Sequence, residues 1–198
     1  MNRAAIRILF ASVLLMPGAA LAHTGAGAAH GFLHGIAHPF GGLDHMLAMV
    51  AVGLIAAQLG GRALWLVPVS FLALMVAGGA IGMAEVRVPF VETAIALSVI
   101  VLGLLVAFRA ALPALLAAAV VGGFALFHGH AHGAELPEGE SGLLYAAGFV
   151  LATAALHGFG LAAGYGLARL SERQGPGFVR ASGGLAALAG IAILLKAI

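Results

Sequence analysis

The stretch HPFGGLDHMLAMVAVGLIAAQLGG, residues 38–61, decides what kind of chain this is. Two imidazoles and a carboxylate, His38, Asp44 and His45, stand at the mouth of an apolar run that continues to Gly60. Such a run is close to the ~20 residues a helix needs to span a bilayer. Titratable groups at membrane depth are expensive, and where a chain keeps them they mark an ion or substrate path. A second cluster, FHGHAHGAE from Phe127 to Glu135, repeats the chemistry at the end of another apolar run. Two His/carboxylate clusters on hydrophobic helices point to a path for a divalent metal ion across a membrane.

Composition sets the class. The 198 residues are 63% hydrophobic and 8% charged, with a mean hydropathy of +1.13, which describes an all-α, polytopic integral membrane protein of one domain. The pI near 9.7 rests on nine Lys+Arg against seven Asp+Glu, too sparse for a nucleic-acid surface. The expected surroundings are therefore a lipid bilayer and a metal ion, with no nucleic acid and with a homo-oligomer left open. The absence of cysteine excludes thiolate metal sites, iron–sulfur clusters, thiol catalysis and disulfides.

Residues 1–22 read as a cleavable secretory signal: Arg3 and Arg7, an apolar core from Ile8 to about Leu15, then Pro17 and Ala20-Leu21-Ala22. An uncleaved first helix is the alternative. Cleavage after Ala22 would leave residues 23–198 as the membrane domain and make His23 a terminal amine-plus-imidazole chelator, though a weak one.

Six further apolar segments cover roughly 43–60, 63–83, 88–108, 112–131, 142–168 and 179–197, separated by charged or helix-breaking residues. Short connections predict antiparallel neighbours. With residue 23 outside, Arg62, Arg109, Arg169, Arg173 and Arg180 fall inside, against only Arg87 and Lys196 outside, as the positive-inside rule requires. Both mature termini are then periplasmic, across a bacterial inner membrane. The loop carrying Glu135, Glu138 and Glu140 also falls outside, where its negative field concentrates cations. Gly78/Gly82 and Gly160/Gly164 have the spacing that lets helix backbones approach closely in lipid. Pro39-Phe40 and Gly53-Leu54 recur 50 residues later as Pro89-Phe90 and Gly103-Leu104, the trace of a parallel repeat or of low complexity.

In a straight helix His38 and His45 would stand about 10 Å apart, too far to share an ion. Pro39, Gly41 and Gly42 allow a fold at the helix entrance that returns His38 toward Asp44 and His45. Alternatively, Asp44 is a helix N-cap and His45 an interfacial residue. His128, His132 and Glu135 fall at i, i+4 and i+7, one helical stripe suited to two-point metal coordination; a solvated helix end is the plain alternative. His130 points elsewhere, toward a vestibule. Glu92, early in the third span, is expected to face the polar interior. His157 lies deepest, as a relay site or an interhelical hydrogen-bonding group. Met46 and Met49 are thioether candidates near the mouth or simple packing.

The H-x5-D-H pattern of His38, Asp44 and His45 and the FHGxAxGxE pattern of Phe127, His128, Gly129, Ala131, Gly133 and Glu135 resemble the HupE/UreJ family of nickel and cobalt permeases. The signal and six spans fit as well. The resemblance implies import of Ni²⁺, or Co²⁺ in some members, for metalloenzymes such as hydrogenase and urease or for cobalamin. Residue chemistry alone leaves Ni²⁺, Co²⁺, Zn²⁺ and Cu²⁺ open.

The single lysine, Lys196, rules out a G-x4-G-K-[ST] phosphate loop. A negative interior contributes about 4.6 kcal/mol per 100 mV to a divalent ion, enough for roughly a thousand-fold gradient. No tightly bound cofactor is expected, the metal being cargo. Two rival classes are a membrane-embedded metal hydrolase, for which no HExxH motif exists, and a metal sensor or chaperone that binds without transport.

Overall fold

The structure is a computed structural model that describes residues 28–136, 139–170 and 175–197. The signal expected over residues 1–22, and His23, lie outside them. The described residues form seven α-helices: α1 Ala28–Ala37, α2 Leu43–Leu59, α3 Ala63–Met83, α4 Val91–Phe108, α5 Ala114–Ala134, α6 Gly142–Leu170 and α7 Gly175–Ala197. A 3-10 turn, His38–Phe40, joins α1 to α2. There is no strand among the described residues. Helix is the natural state of apolar segments in lipid, where each backbone N–H and C=O must be paired within its own segment.

Each of the six apolar segments is helical, with ends within about one turn of those expected. Helices α3 to α7 are long and apolar enough to cross a bilayer. Helix α2 has 17 residues, ~25 Å. Together with α1 it makes one further candidate span, broken by a bend of 82°. Two glycines with left-handed backbone, Gly60 (φ 67°) and Gly61 (φ 50°), end α2 where a side chain would be strained.

Two expectations need correction. Residues ahead of His38 lie outside the six apolar segments, yet AAHGFLHGIA is helix α1. Glycines of both helices seat it on α6: a Cβ on Gly35 of α1 would strike the Tyr145 carbonyl, and one on Gly148 of α6 the Phe32 carbonyl. The closest packing is also not between sequence neighbours. Gly129 and Gly133 of α5 lie against the carbonyls of Met75 and Gly79 in α3, while Gly78 and Gly82 lie against those of Leu126 and His130. The rising register on both chains makes α3 and α5 a parallel pair. Gly53 and Gly160 join α2 to α6 in the same parallel sense, through the carbonyls of His157 and Val50. Small residues decide these partners because close backbone approach is the main attraction between helices in lipid.

The core runs along the inner faces of these helices, through Met49 and Val52 of α2, Val67 and Phe71 of α3, Val99 and Leu102 of α4, and Val121 and Ala125 of α5. Above it, where α2 begins and α5 ends, the core turns polar.

Candidate metal centre

His45 sits in the first turn of α2 and His128 and His132 in the last two turns of α5, so one helix start and one helix end meet. All three are buried. The His45 ring lies 4.0 Å from His132 and 4.6 Å from His128 between centroids, and His38 lies 4.7 Å from His132. The first and second sequence clusters therefore form one group.

Its hydrogen bonds orient the ring nitrogens. Asp44 Oδ1 accepts the His45 backbone N–H at 2.7 Å and the His45 Nδ1–H at 2.9 Å, leaving His45 Nε2 with its lone pair and no partner among the described residues. Ser98 of α4 donates its hydroxyl to Ile95 O at 2.6 Å, so at 2.7 Å from His128 Nε2 it must accept. That leaves His128 Nδ1 unpaired among the described residues; both ring nitrogens of His132 are likewise buried and without a partner among them. Buried polar atoms in native proteins are overwhelmingly paired, and a converging set that is not marks a place for a ligand. Lone-pair nitrogens held by outer hydrogen bonds are the arrangement metal-binding imidazoles adopt.

A carboxylate closes the outer end. His38 Nε2 is 3.2 Å from Glu135 Oε2, and one ligand atom each from His38, His132 and Glu135 lies within 4.8 Å of the other two. Helix α6 lines the remaining side: the Phe149 ring is 4.1 Å from His132, and Tyr145 is 5.6 Å from His38.

The bend expected at Pro39-Phe40-Gly41-Gly42 is present, but it sends His38 to His132 and Glu135 of α5, not back to Asp44. Asp44 is not the N-cap of α2. Gly42 occupies that position without a side-chain cap bond, and Asp44 follows in the first turn, bound to His45. Glu92 was expected to face the interior, yet it is exposed in the first turn of α4 and apart from the group; Phe90, its left-handed N-cap, is also exposed. His130 donates Nε2–H to Val86 O at 2.7 Å, tying α5 to the loop after α3. His157 is buried deeper, against Phe71. Met49 is wholly within the core and Met46 half-buried.

Four participants were not singled out from the sequence. Ser98 is an isolated polar residue in an apolar helix, and nothing in its own segment announces His128. His34 Nδ1 is 3.2 Å from both Glu140 oxygens, and its ring is 5.8 Å from His38, extending the group outward. Tyr145 and Phe149 differ in nothing local from lipid-facing aromatics. A cleft of about 710 Å³ lies at the opposite end of α2 beside Gln58, Arg109 and Leu112 and has no histidine or carboxylate in its lining. It offers a cation no ligands, whereas the buried group does.

Comparison with known proteins gives the family. The family model described as HupE / UreJ protein matches residues 11–193. Protein HupE of Rhizobium leguminosarum bv. viciae is 50% identical over 185 residues, which cover 93% of this chain and 94% of that protein. No solved structure gives a significant match. The chain belongs to the HupE/UreJ family.

Proposed function

We propose that the protein is a secondary permease that carries Ni²⁺, or Co²⁺, through a bacterial inner membrane to supply metalloenzymes such as hydrogenase or urease. The single observation behind this reading is the buried meeting of His45, His128 and His132, whose inward ring nitrogens have no partner among the described residues. Imidazole suits late first-row divalent ions, and the carboxylates of Asp44 and Glu135 supply charge that a bare imidazole set lacks. Membership of the family narrows the cargo to nickel or cobalt through the resemblance described above.

In this reading the acidic rim of Glu135 and Glu140 gathers cations at the outer face. His38 and Glu135 take the ion first, and His132, His45 and His128 take it as it loses water. Asp44 and Ser98 position their imidazoles and do not touch the ion. The topology that goes with it has a cleaved signal, six spans and both termini outside, so that the histidine group opens outward and the arginine-rich loops face the cytoplasm.

Uptake of radiolabelled Ni²⁺ by proteoliposomes holding the purified protein, driven by an interior-negative potential, tests the function. Saturable uptake that rises with the potential is expected. Tight binding with no uptake above protein-free vesicles would instead assign the protein to sensing or storage.

A further inference from the structure

Below the outer histidines the inner face of α6 continues as Tyr145, Phe149, Thr153 and His157, each one helical turn beyond the last and all buried. It begins beside His38 and His132 and ends at His157. The His157 carbonyl abuts Gly53 of α2, a residue two turns, or ~12 Å, deeper than His45. Between the outer group and His157 stands the ring of Phe71, itself fully buried. Its centroid is 5.8 Å from His128 on one side and 5.0 Å from His157 on the other, crossing the latter at 88°.

Neither ring nitrogen of His157 has a hydrogen-bond partner among the described residues, and the residue is only 3% exposed. A histidine retained to join helices would show a partner, and one retained for packing would leave two polar atoms unpaired at considerable cost. One turn away, Thr153 donates its hydroxyl to the Met75 sulfur at 3.8 Å, so the hydroxyl oxygen keeps its lone pairs. A hydroxyl oxygen and a thioether thus lie one turn nearer the outer group than the His157 imidazole, and neither α3 nor α6 carries a carboxylate.

We infer that His157 is a second, deeper metal station, which the ion reaches past Phe71 from the neutral Thr153 and Met75 one turn above. This inference rests on the permease reading above. Lacking a carboxylate, the station holds a divalent ion more weakly than the outer group does. Conduction calls for that graded order, because an ion bound tightly at every step does not leave.

The test compares equilibrium Ni²⁺ binding in detergent with Ni²⁺ flux in proteoliposomes for His157→Leu, His157→Gln and His157→Cys. Leucine keeps bulk without nitrogen, glutamine keeps hydrogen bonding with poor ligation, and cysteine restores a ligand of softer character. Leucine and glutamine variants are expected to bind Ni²⁺ within about twofold of wild type yet to lose flux by about tenfold or more, the scale of losing a metal-orienting group. The cysteine variant should recover flux, more for Cd²⁺ than for Ni²⁺. Thr153→Val, nearly isosteric, should lower flux only a few-fold with binding intact, and it serves if the His157 variants melt early. Wild-type flux in His157→Leu, rescue by glutamine, or loss of equilibrium binding in parallel with flux would each overturn the inference. Failure of the permease reading is distinguishable, because there the wild-type protein itself shows no flux.

Discussion

Helices α2 and α4 share two residue pairs at one offset, Pro39-Phe40 and Gly53-Leu54 matching Pro89-Phe90 and Gly103-Leu104. The lower halves behave alike. Gly53 lets α2 close on α6, and Gly103 lets α4 close on α7 against the Gly183 carbonyl. The upper halves diverge. Ahead of α2 the chain has Gly41-Gly42 and then Leu43-Asp44-His45, beneath α1 and an 82° bend. At the same offset α4 has Val91-Glu92 and then Thr93-Ala94-Ile95, starting from an exposed Phe90. Gly42 corresponds to Glu92, and one packs under Asp44 while the other is exposed. A few residues at its mouth thus separate an apolar helix that carries ligands from one that does not.

The comparison breaks most completely if the ligand on α2, or its partner on α5, is removed. His45→Ala and His132→Ala should each weaken Ni²⁺ binding by on the order of 100-fold or more, at least the upper range for metal-site residues. The double variant should be little worse than either single one, because groups on one ion are strongly coupled. Calorimetric titration of the purified variants measures both; additive losses would indicate separate ions.

Next in size are the two residues that hold imidazoles without touching the ion. Asp44→Asn frees the His45 Nδ1–H from its charged acceptor, and Ser98→Ala frees the His128 ring. Losses of roughly 10- to 100-fold for the first and about tenfold for the second are expected in the same titration. Ser98→Thr should restore most of the affinity, since only the hydroxyl is needed.

Smaller still is Gly42→Ala. A Cβ there would lie 2.6 Å from Asp44 Oδ1 and 3.1 Å from His45 Nδ1, displacing the pair by a few tenths of an ångström, and a few-fold loss of affinity is expected. The smallest effect on affinity belongs to Gly103→Ala. It should lower thermal stability, at an overpacking cost of about 1–3 kcal/mol, with Ni²⁺ binding unchanged, whereas Gly53→Ala should lower both stability and uptake because it pushes α2 from the helix that carries His157. Melting curves read beside uptake separate the two glycines.

Much of this was legible in the sequence. The six apolar segments are long enough to identify by hydropathy, and the i, i+4 pair His128/His132 needed only helical geometry. The joining of the two clusters was also within reach, because both fall at the same ends of their segments. What escaped depends on tertiary contact. Helix α1 is short and glycine-containing, and it is helical because α6 receives it. Ser98 gains its role from a helix 30 residues away. His38 turned toward α5 because the carboxylate it meets, Glu135, is there, while the one nearer in sequence, Asp44, is engaged by His45. Glu92 misled for the converse reason: a carboxylate in a span suggested an inward face, but it lies in the first turn, where the helix has not yet entered the core.

The most direct test of the central account is the nickel K-edge absorption spectrum of the purified protein loaded with one equivalent of Ni²⁺. Shared coordination predicts imidazole scattering from His45, His128 and His132 together, which weakens in His45→Ala and in His132→Ala alike. A spectrum of oxygen ligands without imidazole, or one unchanged by either substitution, would contradict it.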